Sequence, residues 1–300
     1  MYRVYRWITY FKPDVPIIAQ YEQYRNFRPM FTGVMFDGRL DSRDVTAGIV
    51  FLAQRGFLKI THIEHKVLGL FTQTDYEVVL TKDASRAPSD AHLALIKLIF
   101  KGQSGADEVQ HTWRSFWLQK DIEGSMNMYV DKKVKLSDIR KNTKKLKANY
   151  KVMVALKKAV KKDLERLGFM QTYIFTRRTK LGYEAVNHLK GFKEFLSVTE
   201  SERYKFHNAP QKSPEQFMEF LPYAIAFGVE KEWAEAFKDL TISSPDWYDG
   251  GTTSFNAGAF SADMSSFSGS LASSGSSGSS GSAGGGSAGG GGGGGGGGSW

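Results

Sequence analysis

The chain has 300 residues, no cysteine and a formal net charge of +9, which excludes a disulfide framework and thiolate metal sites and suits a reducing compartment. From Asp249 onward it is mostly Gly, Ser and Ala, a composition that cannot bury enough apolar surface to offset its ordering entropy. The expected folded part is therefore about 250 residues, with a disordered Gly/Ser tail over 249–300.

The basic excess is local. Thirteen Lys and Arg against the single Asp138 give the segment from Lys132 to Lys162 a charge of +12, which leaves −3 for the rest. Such a segment can attract phosphate on nucleic acid or on an anionic lipid surface, or it can simply be a solvated helix face. No window of 18 apolar residues is present, so no transmembrane helix is expected in the chain as written. The first residues, MYRVYRWITYFKP, interleave basic and aromatic side chains without an apolar core, unlike a signal peptide. Tyr, Trp and Arg together suit a membrane-interface flank and equally an edge strand.

Residues 1–30 read as an irregular, juxtamembrane-like arm broken by Pro13 and Pro16. Over 31–87, Asp41 or Ser42 can cap a helix starting near Arg43, with Val45, Ile49, Leu52 and Ala53 on one face. Gly56 stands where that helix needs a left-handed end. Strands at Phe57–Ile60 and Tyr76–Leu80 follow, and helix plus ribbon in this order suggests a winged-helix-like unit.

In 88–180, Asp90 opens a nearly all-apolar helix through Phe100, and Trp113, Phe116 and Trp117 lie on a segment readable as strand or helix. A short helix is expected from Ser137. A long basic helix follows it, with a stripe at Leu146, Tyr150, Met153, Val160, Leu164 and Leu167. Gly168 caps it, and Phe169–Phe175 alternates as a strand. LERLGFMQT repeats the grammar of LAQRGFLKI, so the unit is expected to be a second, winged-helix-like repeat.

Residues 181–248 form an aromatic-rich helical subdomain. Leu181, Ala185, Leu189, Phe192 and Phe195 are helically spaced, and Ser213 caps a helix with Pro214 in its first turn and Gln216 in the capping-box position. Pro222 is expected to kink or break that helix and Gly228 to end it. A last short helix, Lys231–Leu240, buries Trp233, Ala236 and Phe237. The overall class is α+β, mostly α: one or two winged-helix-like units, a C-terminal helical subdomain and a tail.

The blocks GRLDSRDVTAGIVFLAQRGFLKI, GFKEFL, FMEFLPYAIAFGVEKEWAEAF and PDWY, with the closing GGGGGGGGSW, resemble the cytosolic C-terminal region of a predicted bacterial membrane-protein family of unknown function (YciQ-like). The resemblance covers nearly the whole chain, and the LPYAIAFGVE…W block and terminal glycine run are its most specific parts. It implies an exported β-rich domain, membrane helices and a cytosolic part. The first two are missing from this chain, and Phe175-Thr176-Arg177 stands where members carry a hydrophobic pair. The chain is then a soluble excerpt or a divergent member, and Tyr2–Phe11 looks like the stub after a membrane helix. The family carries no catalytic motif to transfer.

Nothing in the sequence supplies one either. The dense glycines lack the strand–helix context of a phosphate loop. His62, Glu64 and His65 do not converge from a strand as a zinc site requires. Asp37, Asp41 and Asp44 sit at a turn and a helix start, where they complement the helix dipole. No cofactor is expected, and the function expected is a non-enzymatic interaction scaffold on the cytoplasmic face of a membrane protein. Its candidate anionic-surface contacts are Lys132, Lys133, Lys141, Lys144, Lys145, Lys151, Lys158, Lys161 and Lys162. The expected partner is an anionic membrane surface or a protein. The alternatives are non-specific nucleic-acid binding, since lysines without Arg, Asn or Gln readers carry no base code, and an enzyme of unrecognised type.

Overall fold

The structure, a computed structural model, describes residues 16–25, 27–67, 71–101, 130–136, 143–172, 175–198, 211–250 and 257–275. Within them the chain is mostly helical with small sheets. After a 3-10 turn (Pro29–Phe31) come α1 (Thr32–Phe36), α2 (Ser42–Gln54), β1 (Leu58–Val67), β2 (Phe71–Leu80) and α3 (Asp90–Lys101). Then follow β3 (Lys133–Lys135), α4 (Thr143–Arg166), β4 (Met170–Thr172), β5 (Thr176–Arg178) and α5 (Lys180–Ser197). The series closes with α6 (Pro214–Phe227), α7 (Glu230–Glu235), β6 (Tyr248–Asp249) and α8 (Ala257–Gly275). The segment with Trp113, Phe116 and Trp117, and the expected helix from Ser137, lie outside the described residues.

Helix α2 is the hub. Asp41 accepts from the amides of Arg43 (2.9 Å) and Asp44 (3.2 Å), and the Asp44 carboxylate accepts in return from the Asp41 amide (3.0 Å), closing a capping box. From Asp44 to Ala53 every residue except Phe51 is buried, because α3, α6, α8, β1 and the Pro29–Phe31 turn pack around the helix. The sheet runs in the order β3-β2-β1-β6, with β1–β2 and β2–β3 antiparallel and β1–β6 parallel. Its inner face alternates as pleating demands: Leu58 and Ile60 on β1, and Tyr76, Val78 and Leu80 on β2, are buried. The core is a single contiguous cluster from Tyr24 to Phe267.

The two similar sequence stretches end their helices identically. After α2, the Gly56 amide bonds Ala53 O (2.8 Å) and the Phe57 amide bonds Leu52 O (2.9 Å). After α4, the Gly168 amide bonds Glu165 O (3.0 Å) and the Phe169 amide bonds Leu164 O (2.9 Å). These pairs of bonds satisfy the orphan carbonyls of a helix end and require a left-handed residue, which Gly56 (φ 70°) and Gly168 (φ 78°) supply. The match continues past a hairpin in each unit. Thr81 returns its amide to Phe57 O (2.9 Å) and its hydroxyl to Gly56 O (2.8 Å). Thr179 returns its amide to Phe169 O (3.0 Å) and its hydroxyl to Gly168 O (2.6 Å). Both units therefore tie strand exit to helix exit with one threonine.

Of the kink or break expected at Pro222, helix α6 shows no break. It runs unbroken through Pro222, although proline lacks the amide that would bond the carbonyl four residues back. That carbonyl belongs to Met218, and Gln54 Nε2 at the end of α2 donates to it at 2.5 Å. A side chain 164 positions away thus replaces the missing bond. The following helix also differs, since α7 spans Glu230–Glu235 and not Lys231–Leu240; Trp233, Ala236 and Phe237 are nonetheless buried.

The tail boundary needs correction. Helix α8 lies inside the stretch whose composition reads as tail, and it buries Ala257, Phe260, Ser261, Met264, Phe267 and Ser268. Those positions recur every three or four residues, so a stripe of large apolar side chains suffices even where Ser and Gly fill the other faces. The rest of the glycine run, 276–300, lies outside the described residues.

Candidate functional site

Of the nine lysines singled out, the structure gathers three. Along α4, Leu156, Ala159, Val160, Asp163 and Leu164 are buried, while Lys158, Lys161 and Lys162 share the opposite arc with Val154 and Glu165. Lys158 and Lys162 are exposed and Lys161 is half-buried. Lys162 lies 3.7 Å from Asp90, which also pairs with Arg166 at 2.7 Å; such exposed pairs are screened and leave the cation accessible to other anions. Lys144, Lys145 and Lys151 fall on the backbone of α4, with side chains outside the described residues, as is Lys141 entirely. Lys132 and Lys133 sit apart in the chain at β3, where Lys133 pairs with Glu77 at 2.9 Å.

The lysine arc rests on a fixed base. Asp163, buried on the opposite side of α4, accepts from the Ala91 amide at the start of α3 (2.9 Å) and pairs with Arg166 (3.2 Å). The C-terminal end of α4 is continued by the β4–β5 hairpin, whose Thr172 hydroxyl bonds the Glu165 carboxylate. Arg178 leaves the hairpin inward, donating to Met35 O (2.6 Å) and Phe36 O (2.7 Å) and so anchoring β5 to α1. Phe175, between the two strands, is 68% exposed.

A second set of polar groups converges where α8 docks. His62 Nδ1 lies 3.3 Å from the Asp263 carboxylate, the Tyr248 hydroxyl donates to that same carboxylate, and the Tyr76 hydroxyl donates to Asp263 O (3.0 Å). Burial, with the Asp263 charge beside them, pushes both phenols above their ordinary range, so at neutral pH both remain protonated donors. Phe260 and Phe267 of α8 pack edge-on against Tyr248 (4.5 Å) and Tyr76 (5.1 Å). The arrangement seats a helix; two protonated phenols offer neither nucleophile nor base. Sequence reasoning missed Asp263 because two of its three partners, His62 and Tyr76, lie 201 and 187 residues away, although the spacing of Phe260, Met264, Phe267 and Leu271 was there to be read.

The arm before α1 is similarly fastened. The Tyr223 hydroxyl lies 2.6 Å from both Gln23 Oε1 and Phe27 O, and His188 Nε2 lies 2.8 Å from Glu22 O. Helix α5 carries Gly191 where the arm crosses, and a Cβ there would come within 1.9 Å of Ile18 O. Other buried titratable groups are structural. His92 is enclosed beside Phe31 and Phe51, and burial pushes its pKa down to about 3. Asp44, besides its cap, accepts from the Gly33 amide (2.8 Å), and burial pushes its carboxyl up to about 8. Among the described residues no group of three or more His, Asp or Glu could hold a metal ion, and no helix is long and apolar enough to cross a membrane.

Residues 166–237, from the last turn of α4 through β4, β5, α5, α6 and α7, match the family model of a predicted membrane protein (DUF2207), C-terminal domain. This part of the chain is similar to a membrane-protein domain of unknown function. The matched residues include the hairpin, the helix that carries Gly191 and the Pro222 helix. No curated protein and no solved structure matches the chain.

Proposed function

We propose that this chain is a non-enzymatic scaffold module at the cytoplasmic face of a membrane protein of the YciQ-like kind, and that it contacts anionic lipid through α4. The observation that carries the reading is the placement of Lys158, Lys161 and Lys162 on the side of a helix opposite the one locked into the core, with Lys158 and Lys162 exposed. That helix leads directly into the segment similar to a membrane-protein domain. Cytoplasmic leaflets are negative, and each Lys near such a surface contributes about 1 kcal/mol. The core and the interlocked caps supply rigidity, and Tyr248, Tyr76 and His62 meet Asp263 where they hold α8, which favours a scaffold over an enzyme.

Two matched helix–glycine–hairpin junctions favour a duplicated winged-helix-like topology, and with it the rival reading of nucleic-acid binding. Against that rival, α2, the helix a winged-helix protein would present to a groove, is buried on nearly every side. Co-sedimentation decides between them. The chain is expected to bind vesicles containing phosphatidylglycerol at low salt and to be released by 0.5 M salt, with Lys158→Glu/Lys161→Glu/Lys162→Glu abolishing capture. Retention on a random duplex with no vesicle binding would replace the lipid reading with the nucleic-acid one.

A further inference from the structure

We infer that Lys162 and Arg166 form a two-cation notch for the phosphate of an anionic lipid headgroup, and that Asp90, which fills the notch in this structure, is its intramolecular competitor; this rests on the lipid reading above. Lys162 and Arg166 stand four positions apart on α4, so their side chains leave the helix on one face. Both reach the same atom, Asp90 Oδ2, at 3.7 Å and 2.7 Å. An anionic oxygen between an ammonium and a guanidinium is what a phosphate oxygen would be in the same place. The Asp90 carboxylate therefore stands where a headgroup oxygen would bind.

The notch is oriented as well as basic. Arg166 places one guanidinium nitrogen on Asp90 and the other on the buried Asp163 at 3.2 Å, and Asp163 is itself fixed by the Ala91 amide at 2.9 Å. Lys162, Arg166 and Asp90 are all exposed, so a headgroup can reach them. The site favours an anion: the hydrogen bond from Arg166, aided by the charges of Arg166 and Lys162, outweighs partial burial and holds the Asp90 carboxyl below the usual carboxylate range. Displacing Asp90 costs little. Exposed pairs are screened, and as the first residue of α3 its carboxylate keeps the favourable field of that helix N-terminus once it leaves the cations. A phosphate presents several oxygens to the two cations and is held at high local density on an anionic leaflet. A surface sparse in anionic lipid thus leaves Asp90 in place, and a dense one frees both cations for headgroups.

The test uses the full chain and phosphatidylcholine vesicles with a graded fraction of phosphatidylglycerol. Glu165→Gln is the control, because it removes an equal charge beside Arg166 while keeping an acceptor for Thr172. It is expected to strengthen partitioning about fivefold, the effect of one charge at an anionic surface. Asp90→Asn, which also empties the notch, is expected to strengthen it about twentyfold and to lower the phosphatidylglycerol fraction needed for capture. In an Arg166→Gln background the gain from Asp90→Asn should shrink to about fivefold. In the unaltered chain, whose folding no substitution disturbs, the Arg166 guanidinium resonances should shift with short-chain phosphatidylglycerol and not with millimolar inorganic phosphate. Equal gains from Asp90→Asn and Glu165→Gln, the same in the Arg166→Gln background and with capture intact, would overturn the notch and leave the lipid reading standing. Saturation of the Arg166 resonances by inorganic phosphate would assign the notch to a free anion and overturn the inference as well. If no vesicle captures the chain, the inference and the lipid reading fall together.

Discussion

The bond from Gln54 to Met218 O makes a prediction that no single mutant can settle but a cycle can. Replacing Gln54 with Leu removes the donor and leaves a carbonyl in the middle of α6 without its bond, because Pro222 has no amide to offer. An unpaired, partly buried acceptor costs about 1–3 kcal/mol, so Gln54→Leu should lower stability by about 1–2 kcal/mol. In a Pro222→Ala background the carbonyl regains its helical partner, and the same Gln54→Leu change should then cost only a few tenths of a kcal/mol. The coupling between the two sites is therefore expected at about 1 kcal/mol, well beyond the deviation typical of independent positions.

Urea unfolding of the four proteins, followed by circular dichroism, gives this number. Lost proline-ring packing and the improved helix propensity of Ala enter both arms and cancel. Equal costs of Gln54→Leu in the two backgrounds would refute the claim that the glutamine substitutes for the proline's missing bond.

Other outcomes follow from the same geometry. Asp44 has its folded pKa raised from 3.8 to about 8, so it holds its proton more tightly folded than unfolded; its contribution is present below pH 4 and is lost as pH rises from about 4 to about 8, a slope that Asp44→Asn should remove from a pH series of unfolding midpoints. His92 runs the other way: its folded pKa of about 3 lies below the ordinary 6.5, so stability is lost as pH falls from about 6.5 to about 3, and His92→Leu should flatten that limb. Asp163→Ala unties the α3 amide and Arg166 together and should lower stability by about 1–3 kcal/mol, read by urea denaturation. Phe267→Ala, in a helix held mainly by its apolar stripe, should cost about 3 kcal/mol or release α8 selectively, which hydrogen exchange over 257–275 would reveal.

How much of this was legible in the sequence depends on the range of the interaction. The cap at Asp41, the left-handed ends at Gly56, Gly168 and Gly228, and the Ser213 cap whose hydroxyl accepts from the Gln216 amide at 3.2 Å all depend on residues within a turn of each other, and the sequence displays them. The aromatic stripes of α5 and α6 were equally plain, since burial follows their period. That α6 continues through Pro222 without a break was not legible, because the Met218 carbonyl is met by Gln54, and no local signal announces a donor so distant in the chain. The extent of the folded part was misread for a different reason. Mean composition over 249–300 is dominated by Gly and Ser, and it hides a seven-residue recurrence that begins at Ala257 and buries Phe260, Met264 and Phe267 on one face.

The same distinction bears on where function lies. The blocks that carry the family resemblance are used up by the fold: the PDWY block supplies Trp247 O to the Ile60 amide (2.8 Å) and Tyr248 to the seat of α8. In the LPYAIAFGVE…W block, Tyr223 fastens the arm and Trp233 Nε1 donates to Phe217 O at 3.2 Å. Residues so occupied fix a shape. Among the described residues, Lys158 and Lys162 on α4 stay exposed while the opposite side of the helix is buried. The arc lies over a rigid base, in which Asp163 accepts from the Ala91 amide at 2.9 Å. If the proposed lipid contact holds, a basic arc on so rigid a base would keep a fixed attitude to the surface, and the clamp of Gln23 and Phe27 on Tyr223 would carry that attitude into the arm.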